Sequence, residues 1–159
     1  MASPVAIRAL WPEDADAARE LVEAEVAGTP YAELPRWALD AALTGESDEA
    51  RACVAVRESS ALVGIVLFGL VAGAEGAGRL ILVTVTAAAR RQGVGAQLVT
   101  AAVDDLARRG ARFAGIELPD DPALQPGRAL LLRSGFREDS RVPDFYRDGV
   151  DLVFLRRDF

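Results

Sequence analysis

The sequence has no histidine, no lysine and only one cysteine, Cys53. Without imidazole, mechanisms that relay protons through histidine are closed and the usual histidine-containing zinc sites cannot form, so no metal is expected. A lone cysteine excludes an internal disulfide framework. The chemistry left to the chain must come from carboxyl, hydroxyl, guanidinium or backbone groups. Long apolar stretches are also missing: glycine, arginine or glutamate interrupts each hydrophobic run before it reaches bilayer-spanning length. The first residues lack a basic segment followed by an apolar one. A cytoplasmic protein without membrane contact is expected. The 18 basic residues are all arginine, a compositional bias that carries no functional reading.

What is present is material for a core. With 159 residues, 51% of them apolar, the chain suffices for one globular domain and is short for two, so a single domain over 1–159 is expected. The net charge of −6 is unevenly spread: residues 1–50 hold 11 acids against Arg8, Arg19 and Arg36, while the remainder holds 13 acids and 15 arginines. An acidic region repels nucleic acid and attracts an amine or a basic peptide. A solvated acidic helix face would produce the same imbalance.

Periodicity orders the chain. Val5 to Leu10 reads as a strand; after Pro12, Ala15, Ala18, Leu21, Val22 and Val26 recur at helical spacing. Trp37, Leu39, Ala42 and Leu43 predict a second helix ending near Gly45. Residues 51–57 and 61–71 are strand-like runs around Glu58, Ser59 and Ser60, an interval suited to an antiparallel hairpin, and 79–86 is the next strand. Val94, Leu98, Ala101, Ala102 and Leu106 then make one face of a helix that Gly110 ends. A strand at Phe113 to Leu118, a short helix at Arg128 to Arg133 and strands at Phe136 to Val142 and Val150 to Leu155 complete the order. The economical architecture is one α/β domain: a mixed, mainly antiparallel sheet with helices on both faces.

The sharpest local feature is the passage from Val83 through Thr84 and Val85 to Arg90, Arg91, Gln92, Gly93, Val94, Gly95 and Ala96, where a strand leads through a loop into a helix. The first amides of a helix lack intrahelical acceptors and carry partial positive charge, and glycines at 93 and 95 would let a large anion approach the backbone. Arginines at the positive end of a helix are unfavourable by roughly 0.3–1 kcal/mol each unless an anion neutralises them. Two glycines near a helix start can also be only a tight turn. The phosphate loop GxxxxGK[ST] is absent, and the dinucleotide fingerprint lacks its third glycine.

These residues resemble the acetyl-CoA signature [QR]-x-x-G-x-[GA] of the GNAT acetyltransferase superfamily, matched by Arg90, Gly93 and Gly95. Ile7-Arg8 with Glu13-Asp14 resembles the family's opening strand and first helix, and Ser134-Gly135-Phe136 its late glycine-phenylalanine pair. The resemblance implies a twisted sheet of about 6–7 strands that splays after the fourth, flanked by about 4 helices. It implies acetyl-CoA as co-substrate, held by Val83, Thr84, Val85 and residues 90–96, and direct acetyl transfer to a primary amine of a small molecule or peptide. Tyr31 and Trp37 would wall the acceptor groove, with core packing as the alternative for Trp37. A monomer or a homodimer joined through Phe145 and Val150 to Phe159 is expected.

The chain departs from the family pattern where catalytic groups usually sit. Leu131 stands four residues before the glycine of the glycine-phenylalanine pair, where many members have a tyrosine acid; Asp120-Asp121-Pro122 replaces an asparagine turn, and Arg79 a base. Tyr146, in a turn before the last strand, is the candidate acid. Glu117, on a strand facing the cleft where burial would raise its pKa, is the candidate base, ahead of Glu75 in a glycine-rich turn. Cys53 reads as a small buried hydrophobe. An acyl-CoA-binding domain without catalysis is the competing reading.

Overall fold

The computed structural model describes residues 3–159; the expected start of the domain at residues 1 and 2, and the reading of those residues as lacking a leader, lie outside it. Seven strands and four α-helices follow one another in the order β1 (Val5–Ala9), α1 (Ala15–Val26), α2 (Glu33–Thr44), β2 (Arg51–Arg57), β3 (Leu62–Leu70), β4 (Ala77–Val85), α3 (Val94–Arg108), β5 (Phe113–Pro119), α4 (Gln125–Arg133), β6 (Arg137–Arg147) and β7 (Val150–Asp158). The strands form one sheet in the order β1-β2-β3-β4-β5-β7-β6. All neighbours are antiparallel except β4 and β5, which α3 connects as a parallel pair.

Apolar residues on both faces of the sheet explain why helices cover both. β3 is buried along nearly its whole length. Val66 and Phe68 pack with Leu98, Ala102 and Leu106 of α3, while Ile65 and Leu67 pack with Leu21 and Val22 of α1 and Leu39 of α2. In α2 the buried stripe is Pro35, Ala38 and Leu39, spaced three and four residues apart; this rotates Trp37 outward, where it is 45% exposed. Core packing is therefore not its role.

The feature that positions the site is the parting of β4 and β5. They pair only at Ala77↔Phe113, Gly78↔Ala114 and Arg79↔Gly115. Beyond that point β4 stays with β3, and β5 continues with β7 through Ile116↔Leu155 to Pro119↔Leu152. The register of β4 against β3 slips between Leu80 and Leu82, leaving Ile81 as an extra residue. Such a bulge bends its strand, and it lies where the two strands diverge. Two strand edges are thus left facing one another across a cleft. Strand β6 runs further than expected, through Pro143 to Arg147, so Tyr146 lies in a strand and not in a turn.

Candidate active site

On one side of the cleft stands the β4–α3 loop. No amide from Arg91 to Ala96 finds an acceptor among the described residues; the first to do so is Gln97, which bonds to the Gly93 carbonyl 3.1 Å away. Six successive donors are left open at the start of a 15-residue helix, and such donors attract an anion. Gly93 is the N-cap at φ 78°, with open space where a Cβ would project. Gly95 is different: a Cβ there would stand 2.8 Å from Leu130 Cδ2, so this glycine admits α4 against α3. Of the two glycines expected to clear the way for a ligand, only Gly93 has open space beside it.

The loop is built to keep its shape. Gln92 accepts from Arg57 Nη2 at 2.8 Å and donates to the Ala88 carbonyl at 3.1 Å, while Arg90 Nε donates to the Val85 carbonyl at 3.1 Å. Arg91 holds a left-handed φ of 61°. Among the described residues none of Arg57, Arg90 and Arg91 pairs with a carboxylate, although eleven other arginines do. Val83 and Val85 pack on the α3 side of the sheet, and Val94 is buried beneath the loop.

The opposite wall is aromatic. Tyr146 packs edge-on against Tyr31, with ring centroids 5.4 Å apart, and against Phe145 at 5.0 Å. Burial raises the Tyr146 phenol pKa, with smaller contributions from the charge of Glu117 and from Tyr31. The group therefore keeps its proton through neutral pH and can only donate it. Arg147 Nη1 donates to the Tyr31 hydroxyl at 2.6 Å and its Nη2 to Asp121 Oδ2 at 2.9 Å, while the Tyr31 hydroxyl donates to the same carboxylate oxygen at 3.2 Å. The α1–α2 loop, the β5–α4 loop and the β6–β7 hairpin are tied together at this point. The Ala123 amide, then Arg147 and Tyr31, hold the Asp121 pKa below the usual aspartate value.

The remaining candidates separate. Glu117 is exposed, not buried: β4 has turned away before this position, and nothing covers it. Leu131 is 1% exposed within the core, so its place in the family pattern offers no acid. Glu75 contributes its backbone carbonyl, which accepts from Arg112. Cys53 is only partly buried, and that burial raises its thiol pKa. One acid escaped the sequence reading. Thr84, 8% exposed, donates its hydroxyl to Glu25 Oε2 at 3.2 Å. A signal existed, since Glu25 follows Leu21 and Val22 by four and three residues and so continues the buried stripe of α1.

The Acetyltransferase (GNAT) family model matches residues 13–136, most of the chain and all of the β4–α3 passage. The chain belongs to the GNAT acetyltransferase family. Its fold is that of solved GNAT structures. One from Desulfovibrio desulfuricans, described only as belonging to the GNAT family, superposes with TM-score 0.86 at 26% identity, covering 97% of this acetyltransferase and 98% of the other chain. The ribosomal-protein-alanine N-acetyltransferase of Brucella melitensis gives 0.74 at 21% identity, over 97% and 99% of the two chains. A chain of the NatC complex bound to Gag peptide and CoA gives 0.76 at 16%, over 98% and 99%. A search of curated proteins finds no sequence match. Among the described residues of this GNAT protein no helix is long and apolar enough to cross a membrane, and no cluster of three acidic or cysteine side chains is arranged to hold a metal.

Proposed function

We propose that this GNAT protein, as one N-acetyltransferase domain over 1–159, transfers the acetyl group of acetyl-CoA directly to a primary amine of a small molecule or peptide. The observation that carries the reading is the run of open amides from Arg91 to Ala96 beside three carboxylate-free arginines, at the mouth of a cleft between two unpaired strand edges. A pyrophosphate matches the amide run in charge and size, and an extended amide-bearing arm matches an unpaired strand edge. Acetyl-CoA, when bound, supplies an activated thioester. The chain's own contribution is to hold the donor on Val83, Thr84, Val85 and residues 90–96 and to exclude water with the Tyr31–Tyr146 wall. Tyr146, kept protonated by its burial, supplies the departing sulfur with a proton. Tyr31 and Trp37 line the approach of the amine.

Calorimetric titration with acetyl-CoA, and with a CoA fragment lacking the pyrophosphate, tests the reading. Micromolar binding that is lost with the fragment supports it; no binding at high concentration removes it. The core position of Leu131 favours a second reading, acyl-CoA binding without turnover. An amine screen followed by free-thiol release separates the two.

A further inference from the structure

Glu25 stands out among the carboxylates of this chain by what it lacks. It lies half-buried near the end of α1, and no arginine pairs with it among the described residues. Its charged surroundings are otherwise engaged: Glu23 is bound by Arg36 of α2, and Asp40 of α2 by Arg19 of α1. Strand β3 carries no charge, and β4 carries only Arg79. Among the described residues the one polar contact of the Glu25 carboxylate is the hydroxyl of Thr84. That threonine is one of only two buried polar side chains in the described structure, the other being Asp14. It sits beyond Arg79↔Gly115, on the stretch of β4 that has parted from β5, with its side chain on the α1 face of the sheet. A helix carboxylate is thus anchored on the open strand proposed to hold the donor, opposite the aromatic wall.

Resting on the acetyltransferase reading, we propose that Glu25 is the general base that deprotonates the acceptor ammonium, with Thr84 as the residue that positions it. The step balances within the cleft: an N–H bond of the ammonium breaks, an O–H bond forms on the carboxylate, and the electron pair stays on nitrogen as the nucleophile. Solvent removes the proton from the half-exposed carboxyl after turnover. An unpaired carboxylate also draws a cationic amine to this side of the cleft, which assigns the acceptor to amines that are protonated in solution. A carboxylate already neutralised by arginine would do neither.

The test compares wild type, Glu25→Gln and Thr84→Val, with acetyl-CoA as donor and with spermidine and an alanine-initiated tetrapeptide as acceptors. Acetyl-CoA affinity by calorimetry is expected to be equal in wild type and Glu25→Gln. In Glu25→Gln, kcat/KM falls roughly 100-fold at neutral pH and its acid limb moves to the alkaline range, where free amine is present. In Thr84→Val the limb shifts. In protein without donor, the 13C carboxyl resonance absent from Glu25→Gln also moves in Thr84→Val. Wild-type kcat/KM and pH profile in Glu25→Gln would overturn the assignment, as would a wild type that binds acetyl-CoA but acetylates neither amine. Failure of the wild type to bind acetyl-CoA would overturn the acetyltransferase reading instead.

Discussion

Gly93→Glu places a carboxylate among six open amides and forces a side chain into a left-handed conformation that costs about 1 kcal/mol. Because nothing crowds a Cβ there, the fold should survive while acetyl-CoA affinity falls roughly 100-fold, the loss of two charge-assisted contacts of about 1.5 kcal/mol each. Calorimetry beside circular dichroism separates the two effects; unchanged affinity would remove the loop from the site. Gly95 is a poorer target, since bulk there first disturbs Leu130. Tyr146→Phe retains the packing on Tyr31 and Phe145 but loses the proton, so kcat should fall roughly 100-fold with acetyl-CoA affinity unchanged. Stopped-flow thiol release measures it, and wild-type kcat would exclude Tyr146 as the acid.

Among the elements, the junction of β1 and α1 depends on one buried carboxylate. Asp14, 7% exposed, accepts from Arg8 at 2.7 and 3.0 Å and caps the turn by accepting from the Trp11 amide at 2.8 Å, while the Arg8 guanidinium lies over the Trp11 ring at 3.6 Å. Asp14→Ala strands Arg8 and opens the turn. A loss of about 2 kcal/mol is expected, below the value for a fully buried pair because Arg8 stays partly wet. Urea unfolding reads it, and a loss under about 0.5 kcal/mol would mean that the pair is surface decoration. Periodicity revealed these elements and their order because helix and strand spacings are local properties. It did not reveal that β6 continues through Pro143, since an edge strand needs no amide there.

For the whole molecule, the absence of histidine predicts a flat response to pH. No side chain of ordinary pKa titrates between about 5 and 8, so the melting temperature should be nearly constant across that range. On the acid side, Asp14, Glu23, Asp121, Asp151 and Asp158 all have pKa values below their unfolded-chain values of 3.8, or 4.5 for Glu23. The stabilisation each gives is present above those values and is lost as pH falls through the lower folded ones. Thermal scans from pH 8 to 2 should show a plateau and then a cooperative fall beginning near pH 4. A midpoint near neutrality would require another titrating group.

The loop from Arg90 to Gly95 was legible because its chemistry is local: glycine, arginine and a helix start act within a few residues of one another. The sheet's opening could be expected only by resemblance, since the parting of β4 from β5 is set by pairings across 36 residues of chain and coincides with the Ile81 bulge. The sequence by itself determined the elements, their buried faces and a basic, amide-rich helix start. Tertiary structure alone decided which side chains share the cleft. It brought Tyr31 to Tyr146 across 115 positions and Glu25 to Thr84 across 59, and left Glu117 exposed and Leu131 in the core. Side-chain period within an element says which face a residue takes, but only the packing of whole elements sets what that face meets.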